Sequence, residues 1–259
     1  MFVKEILFYA STLAPWVRAV NVNLCYTFNI INILIMPKKI IVFFGPPGSG
    51  KGTQSEMLAE TLGLPAISTG ELLRREQKTG SVLGKHVKTL MASGRLLGVT
   101  LMDHILRHRL AKSDTRRGFL LDGYPRKVEQ LRHFLSILKP NDSLYFIVIE
   151  VSDKEVLRRL SGRRICDCGA SYHLIYNKPR RAGKCDLCGQ TLLTRTDDTP
   201  KVIKQRLKYY HALTTPMIEK ASGRGSIIFV NGEQSIMGIK KELEKKLKGY
   251  GVIKSKKKK

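Results

Sequence analysis

The chain lacks an uninterrupted apolar stretch long enough to span a bilayer. Its most apolar part, residues 1–35, is broken by Pro15, Arg18, Asn21, Asn23, Asn29 and Asn32, so a membrane helix is not expected there. The same segment lacks a small-residue cleavage site, and Lys4 is followed at once by Glu5. That makes a poor secretory signal, and the scarcity of arginine and serine argues against a transit peptide. No internal repeat is visible, so a repeat array is not expected. Cysteine is scarce: there are five, with Cys25 alone and Cys166, Cys168, Cys185 and Cys188 in one short window. A disulfide-rich secreted chain would scatter them. Paired clusters point instead to metal in a reducing compartment. Acids are scarce too, with 21 Asp and Glu against 46 Lys and Arg and a formal net charge of +25. That imbalance favours polyanionic partners without choosing among nucleotides, nucleic acid and anionic membrane surfaces.

What remains is ample for folding. The 259 residues suffice for one large domain, or a core with insertions, and the 42% hydrophobic content is that of an ordinary globular protein. Met36-Pro-Lys-Lys leads directly into an apolar run, and folding, together with translation itself, is expected to begin at Met36. Residues 248–259 (KGYGVIKSKKKK) carry six lysines and no acid. They read as a solvated, frayed tail, with weak nucleic-acid binding as the minor alternative.

Between these ends, short apolar strands alternate with helical patterns. Residues 40–44, 118–121, 144–151 and 226–230 read as strands. Residues 53–62, 69–79, 83–92, 101–110, 128–138, 154–160, 202–210 and 236–247 read as helices, with Gly63, Gly80 and Gly94 as punctuation. Alternation of this kind predicts an α/β domain with a parallel sheet covered on both faces. Residues 162–198 change character: cysteine, glycine and basic residues replace apolar periodicity, as in an insertion.

The first strand runs into Gly45-Pro-Pro-Gly-Ser-Gly50-Lys51, a GxxxxGK frame placed between strand and helix. Glycines let consecutive backbone N–H groups turn inward around an anion. The following helix adds its partial positive N-terminus, and Lys51 reaches outer phosphates as a point charge. Gly52 stands where a hydroxyl residue is usual, with Thr53 next. Direct Mg²⁺ ligation by a hydroxyl at position 52 therefore cannot occur, and the ion would be held through water and nucleotide oxygens.

Phosphoryl transfer needs two phosphates in line and positive charge where the transition state spreads its negative charge. Arg74, Arg126, Arg159, Arg163, Arg195 and Arg206 are the candidates to supply it. Several of them sit beside turn or acidic signals, in STGELLR, DGYPR, SGRR and TRTDD. Together with GPPGSGKGT, the segments STGELLR (68–74), LDGYPRKVEQ (121–130), LSGRR (160–164) and TRTDDTPKVIKQRL (194–207) resemble the long, bacterial-type adenylate kinase family. The resemblance covers about residues 37–248.

The resemblance implies a P-loop NTPase-type parallel sheet core (37–67, 98–161 and 199–247) flanked by helices. It also implies a small helical NMP-binding arm (68–97) and an inserted zinc-ribbon-like lid (162–198), leaving 1–36 as an extension and 248–259 as a basic tail. It implies reversible, Mg²⁺-dependent conversion of ATP and AMP to two ADP by a cytoplasmic monomer. Carried over by position, Gly48, Ser49, Gly50, Lys51, Gly52 and Thr53 would hold the ATP phosphates. Ser171, Tyr172 and Gln234 would approach ATP from the lid and the adenine end. Thr69, Arg74, Leu97, Gly123, Arg126 and Gln130 would face AMP, with Gln130 reading the adenine edge through its amide. Asp122 would organise Mg²⁺ through water. Arg159, Arg163, Arg195 and Arg206 would converge on the transferring group. The attacking oxygen is already anionic, so no general base is assigned; His104, His108, His133 and His211 read as surface or satisfied histidines. Gly98-Val99-Thr100 departs from the family's usual Pro-Asp, Glu71 from a frequent Asp, and Lys127 from a common Thr.

Cys166-Asp-Cys168-Gly and Cys185-Asp-Leu-Cys188-Gly offer four thiolates for tetrahedral structural Zn²⁺. The first pair is one residue shorter than the usual CxxC, so its knuckle must close differently. Asp167, Asp186 or His173 is a minor alternative ligand. Two other readings stay open: a kinase for GMP, UMP or CMP, and a zinc-ribbon nucleic-acid-binding protein.

Overall fold

In the computed structural model, which describes residues 37–253, the central strand β1 (Lys39–Phe44, KIIVFF) shows how this sequence sorts itself. Its residues alternate between two cores. Ile40, Val42 and Phe44 enter one apolar cluster, while Ile41 and Phe43 enter another. The same alternation holds in β3 (Gly118–Asp122) and β4 (Ser143–Glu150), where Phe119, Leu121, Phe146 and Val148 oppose Leu120, Ile147 and Ile149. A strand that buries both faces needs a helix layer on each. On one side lie α4 (Val99–Leu110), α5 (Val128–Ser136) and α8 (Thr215–Ala221), through Leu106, Phe134 and Met217. On the other lie α1 (Lys51–Leu62) and α9 (Ile236–Gly249), through Leu58, Ile239 and Leu243. Phe44 stacks on Phe146 with ring centroids 5.5 Å apart, which ties neighbouring strands beneath the loop that follows β1.

With β2 (Ala66–Ser68) and β7 (Ser226–Asn231) the five strands are all parallel, in the order β2-β3-β1-β4-β7. β1 lies between β3 and β4, so the chain departs from it toward both edges. Crevices open outside the carboxyl ends of strands at such a point, and the glycine loop occupies this one.

Two insertions rise over that edge. The arm is α2 (Thr69–Lys78) followed by α3 (Val82–Ala92), each started by a serine cap: Ser68 Oγ accepts from Glu71 N, and Ser81 Oγ accepts from Gly84 N. The lid follows α6 (Asp153–Ser161) and is built on an antiparallel pair, β5 (Arg163–Ile165) and β6 (Ser171–His173). The chain returns through α7 (Pro200–Tyr209) and a π-type turn over Tyr210–Thr214.

Several expectations change. Gly98 caps α4 without a side chain, so the helix starts at Val99 rather than residue 101. β2 and α8 carry too little periodicity of their own to be read, the first for its three residues and the second for Pro216 in its opening turn. At the other end the packed chain continues past Leu247: Val252 is buried in the second core, and Lys39 Nζ donates to its carbonyl at 2.6 Å. Fraying from Lys248 onward is therefore not what the structure shows. The extension 1–36, the expected start at Met36 and the last lysines, 254–259, lie outside the described residues. Among the described residues no helix is long and apolar enough to cross a membrane.

Candidate active site

The glycine loop ends in Gly50, whose left-handed φ of 94° turns the chain into α1. No side chain caps that helix and no acid lies in its first turn, whereas Ser68, Ser152, Thr199 and Ser235 cap α2, α6, α7 and α9. The first N–H groups of α1 are thus left for an anion. Lys51 Nζ folds back over the loop and donates to Gly45 O (2.9 Å), Pro46 O (2.7 Å) and Ser49 Oγ (3.2 Å). Burial depresses its pKa to about 8; Asp122 opposes this, while Arg126, Arg206 and Arg163 add to it. Ser49 itself is wholly buried, and its hydroxyl is taken up by Lys51.

Around this loop opens a cleft of about 1320 Å³. Gly48, Gly50, Lys51, Gly52 and Thr53 line it from below. Arg159, Arg163, Arg195 and Ser171 line it from α6 and the lid, and Gln234 from the β7–α9 turn. A smaller space of about 90 Å³ lies under the arm, lined by Thr69, Leu97, Gly123 and Gln130. Arg74, Arg126 and Arg206 line both. The two spaces meet at three guanidiniums.

These cations are only partly neutralised. Arg163 forks onto Asp198, whose side chain is fully buried, with Nε to Oδ2 at 2.7 Å. Arg206 Nη1 reaches Asp197 Oδ2 (3.1 Å) and Asp198 Oδ1 (3.3 Å). Arg126 Nε donates to Gly123 O (2.7 Å), and Thr214 Oγ1 braces the backbone by donating to Arg126 O (3.1 Å). Arg74 pairs with Glu71 at 3.1 Å. Arg195 Nε is buried with no partner among the described residues. Burial first, then Arg163 and Arg74, pull the Arg195 pKa down to about 9. Burial lowers both of theirs, joined by the charge of Arg206 at Arg126 and by those of Arg163 and Arg74 at Arg206. Such a cluster is completed by a polyanion.

Some expected contacts fall elsewhere. Tyr172 borders the cleft, but it packs in the lid interior and its hydroxyl accepts from Asp186 N (2.8 Å) beside Cys185 Sγ. Gln130 Oε1 accepts from Arg126 N at 2.8 Å, which orients the amide and leaves Nε2 as the donor for a ligand. Gln234 Nε2 is held by Asn231 O and Glu242 Oε2. Asp197, Asp198 and Thr214 were not singled out from the sequence. The acid pair directly after Thr194-Arg195-Thr196 was the signal for the first two; Thr214 had none.

Asp122 stands at the end of β3 above Gly52: a Cβ added there would lie 3.6 Å from Asp122 Oδ2, and Oδ1 is buried without a partner among the described residues. A carboxylate with an unmatched acceptor beside the phosphate loop fits a hydrated Mg²⁺. In the lid, the Sγ atoms of Cys166, Cys168, Cys185 and Cys188 lie within 4.8 Å of one another. Four thiolates around one Zn²⁺ place sulfurs ~3.8 Å apart, so the donor set fits. The short first knuckle closes by Gly169 N donating to Cys166 O, three residues back, whereas Gly189 N donates to Cys185 O, four back. The tighter turn absorbs the missing residue.

A parallel sheet with a glycine loop, a lysine and converging arginines over two joined spaces defines a P-loop phosphotransferase for two phosphorylated ligands. The chain belongs to the adenylate kinase family: the family model described as Adenylate kinase matches residues 43–225. It is 43% identical over 212 residues to an adenylate kinase of Methanothrix thermoacetophila, covering 81% of this chain and 99% of that one. It is 41% identical over 215 residues to one of Caldicellulosiruptor saccharolyticus, covering 82% and 99%. It is 44% identical over 198 residues to one of Methanocella arvoryzae, covering 75% and 92%. The family's reaction converts ATP and AMP to two ADP.

The electrostatics carry a pH expectation. A lysine that is to meet phosphate has to be protonated, and the depressed Lys51 pKa of about 8 means its charge is present below that pH and lost above it. kcat/KM for ATP should therefore fall as pH rises through about 8, and a profile flat from pH 7 to 10 contradicts the assignment.

Proposed function

We propose that this chain transfers the terminal phosphoryl group of ATP, held in the larger cleft, to AMP, held in the smaller one. The observation that carries this is the meeting of the two spaces at Arg74, Arg126 and Arg206 beside the Lys51 loop. An AMP phosphate oxygen attacks the γ-phosphorus in line, the bond to the β–γ bridging oxygen breaks, and ADP leaves from both sides. No proton needs removal, since the attacking oxygen is anionic. Loop N–H groups and Lys51 hold the donor phosphates. Arg74 and Arg126 hold the acceptor phosphate. Arg163, Arg195 and Arg206 meet the charge that spreads over the transferring oxygens. Arg159 stands at the donor end, where three of its N–H groups already engage protein acceptors.

Asp122 would hold waters of Mg²⁺, which neutralises phosphate charge when bound with ATP. The four lid cysteines would hold one structural Zn²⁺ with no open position for chemistry. Thr69, Leu97 and the Nε2 donor of Gln130 would seat adenine and ribose of AMP. Ser171 would reach ATP from the lid, and Gln234 would border its adenine. Clustered thiols support a reducing, cytoplasmic setting, and a monomer follows from the family resemblance. A panel of AMP, GMP, UMP and CMP with ATP as donor tests the acceptor. AMP should be fastest by at least about tenfold, because a site that hydrogen-bonds one base leaves polar groups unpaired with another. A pyrimidine monophosphate outpacing AMP refutes the reading.

A further inference from the structure

Arg159, in the last turn of α6, is held by groups from three parts of the chain. Its Nε donates to Glu155 Oε1 (2.7 Å), Nη2 to Gly232 O (2.7 Å) and Nη1 to Ser49 O (3.5 Å). Glu155 lies one turn earlier on the same helix; its side chain is 13% exposed and that of Arg159 14%. The same carboxylate also accepts from Arg158 Nε (2.7 Å) and from the Tyr176 hydroxyl (3.0 Å). Burial alone would raise its pKa, but these hydrogen bonds hold it at about 2.

Tyr176 comes from the lid, beyond β6. Its ring lies 5.2 Å from Arg158 Cζ and 5.8 Å from Arg159 Cζ, and it packs on the His173 ring at 4.5 Å. His173 Nδ1 accepts from Ile175 N and Tyr176 N, so its Nε2–H donates to Arg159 O (3.0 Å). The lid therefore grips Arg159 twice, at its backbone through His173 and at its side chain through Tyr176 and Glu155. Gly162 makes room for this grip: a Cβ there would sit 2.5 Å from the imidazole.

We propose that Glu155 and Tyr176 are positioning residues that set the Arg159 guanidinium for the donor nucleotide and couple its orientation to the lid. Two adjacent guanidiniums, Arg158 and Arg159, would repel each other and swing apart without the shared carboxylate. With it, Nε and one face of Arg159 are fixed, and both Arg159 and Tyr176 line the donor cleft. This rests on the assignment of Arg159 to the ATP side, so the test separates the two.

Steady-state kinetics with ATP and AMP varied in turn read it out. Glu155→Gln should raise KM for ATP about tenfold, the scale of a hydrogen bond to a charged group, and leave KM for AMP within about twofold. Tyr176→Phe should raise KM for ATP about threefold in the same selective way, and it serves alone if the first variant fails to fold. In an Arg159→Ala background, Glu155→Gln should add nothing, because its effect passes through Arg159. Equal shifts in both KM values, or full additivity in that background, overturn the proposal. If Arg159→Ala itself leaves KM for ATP unchanged, the donor-side role of Arg159 fails first. If Arg159→Ala raises it while Glu155→Gln and Tyr176→Phe do not, only the positioning role fails.

Discussion

Replacing Lys51 with alanine should lower kcat by about a thousandfold while the protein stays folded. The expectation follows from where the residue sits. Lys51 emerges at the first position of α1, where uncapped N–H groups already favour an anion, and its ammonium lies against Gly45 O and Pro46 O. A bound phosphate competes for that ammonium with two neutral carbonyls, which an anionic oxygen outbids electrostatically. In the proposed transfer the charge would then follow the phosphoryl group as it departs, an interaction strongest in the transition state. Little of the core depends on the side chain, since β1 and α1 pack through Ile41, Phe43 and Leu58. Thermal unfolding should thus shift by only a few degrees. Lys51→Arg should not rescue, because a planar fork does not occupy the place of a compact ammonium inside a tight loop. The measurement is coupled ADP formation at saturating ATP and AMP, with a melting curve for each protein. An alanine variant within tenfold of wild type would sink the site.

Loss of the zinc proposed for the lid should be the second large effect. The purified protein should carry about one zinc per chain, and Cys185→Ser should abolish it. The lid has little else to hold it: its buried cluster is Cys166, Tyr172, Cys185 and Leu192. Two of those four residues are metal-ligand candidates, so without the ion the cluster has no adequate apolar centre. Structural zinc contributes about 10–16 kcal/mol in isolated small domains. If only about 4 kcal/mol of that is felt in global unfolding, the melting midpoint should fall by roughly 10 °C. Activity should fall with it, because Arg163 and Arg195 are placed by the lid segment, Arg163 through its fork onto the fully buried Asp198 and Arg195 with no partner for its Nε among the described residues. Elemental analysis, differential scanning calorimetry and limited proteolysis within 162–198 check this. A protein with no zinc and four titratable thiols, yet an unaltered melting midpoint after chelation, contradicts it.

Much of this architecture was legible in order along the chain. β1, β3 and β4 announced themselves by β-branched and aromatic runs, and the helices by apolar spacing, because each buries a periodic face against a neighbour. The glycine loop was legible because its geometry restricts residue type: a left-handed Gly50 and a Gly48 whose Cβ would press on Leu160 tolerate little else. The short β2 and the lid strands were not, since three residues carry no period. Helix α8 was hidden by the proline that starts it. The fate of residues 248–253 was misread because the six lysines of 248–259 dominate that tail's composition, while two apolar residues, Val252 and Ile253, decide the packing.

The partners of the charged groups were the least legible part. Arg163 and Asp198 are 35 residues apart, Arg159 and Gly232 are 73 apart, and Thr214 and Arg126 are 88 apart. Local sequence cannot express such pairings, because they arise only where the lid and the sheet edge converge. The family, the reaction class and the four-cysteine pattern were determined by the sequence itself, for each demands particular residue types at close spacing. Which arginines face which space, that Tyr172 turns inward to the cysteines, and that Glu155 and Tyr176 share a grip on Arg159 were decided by the tertiary structure alone. A guanidinium's role is set by which acceptors lie within about 3 Å of its fork, and only the folded chain brings them there.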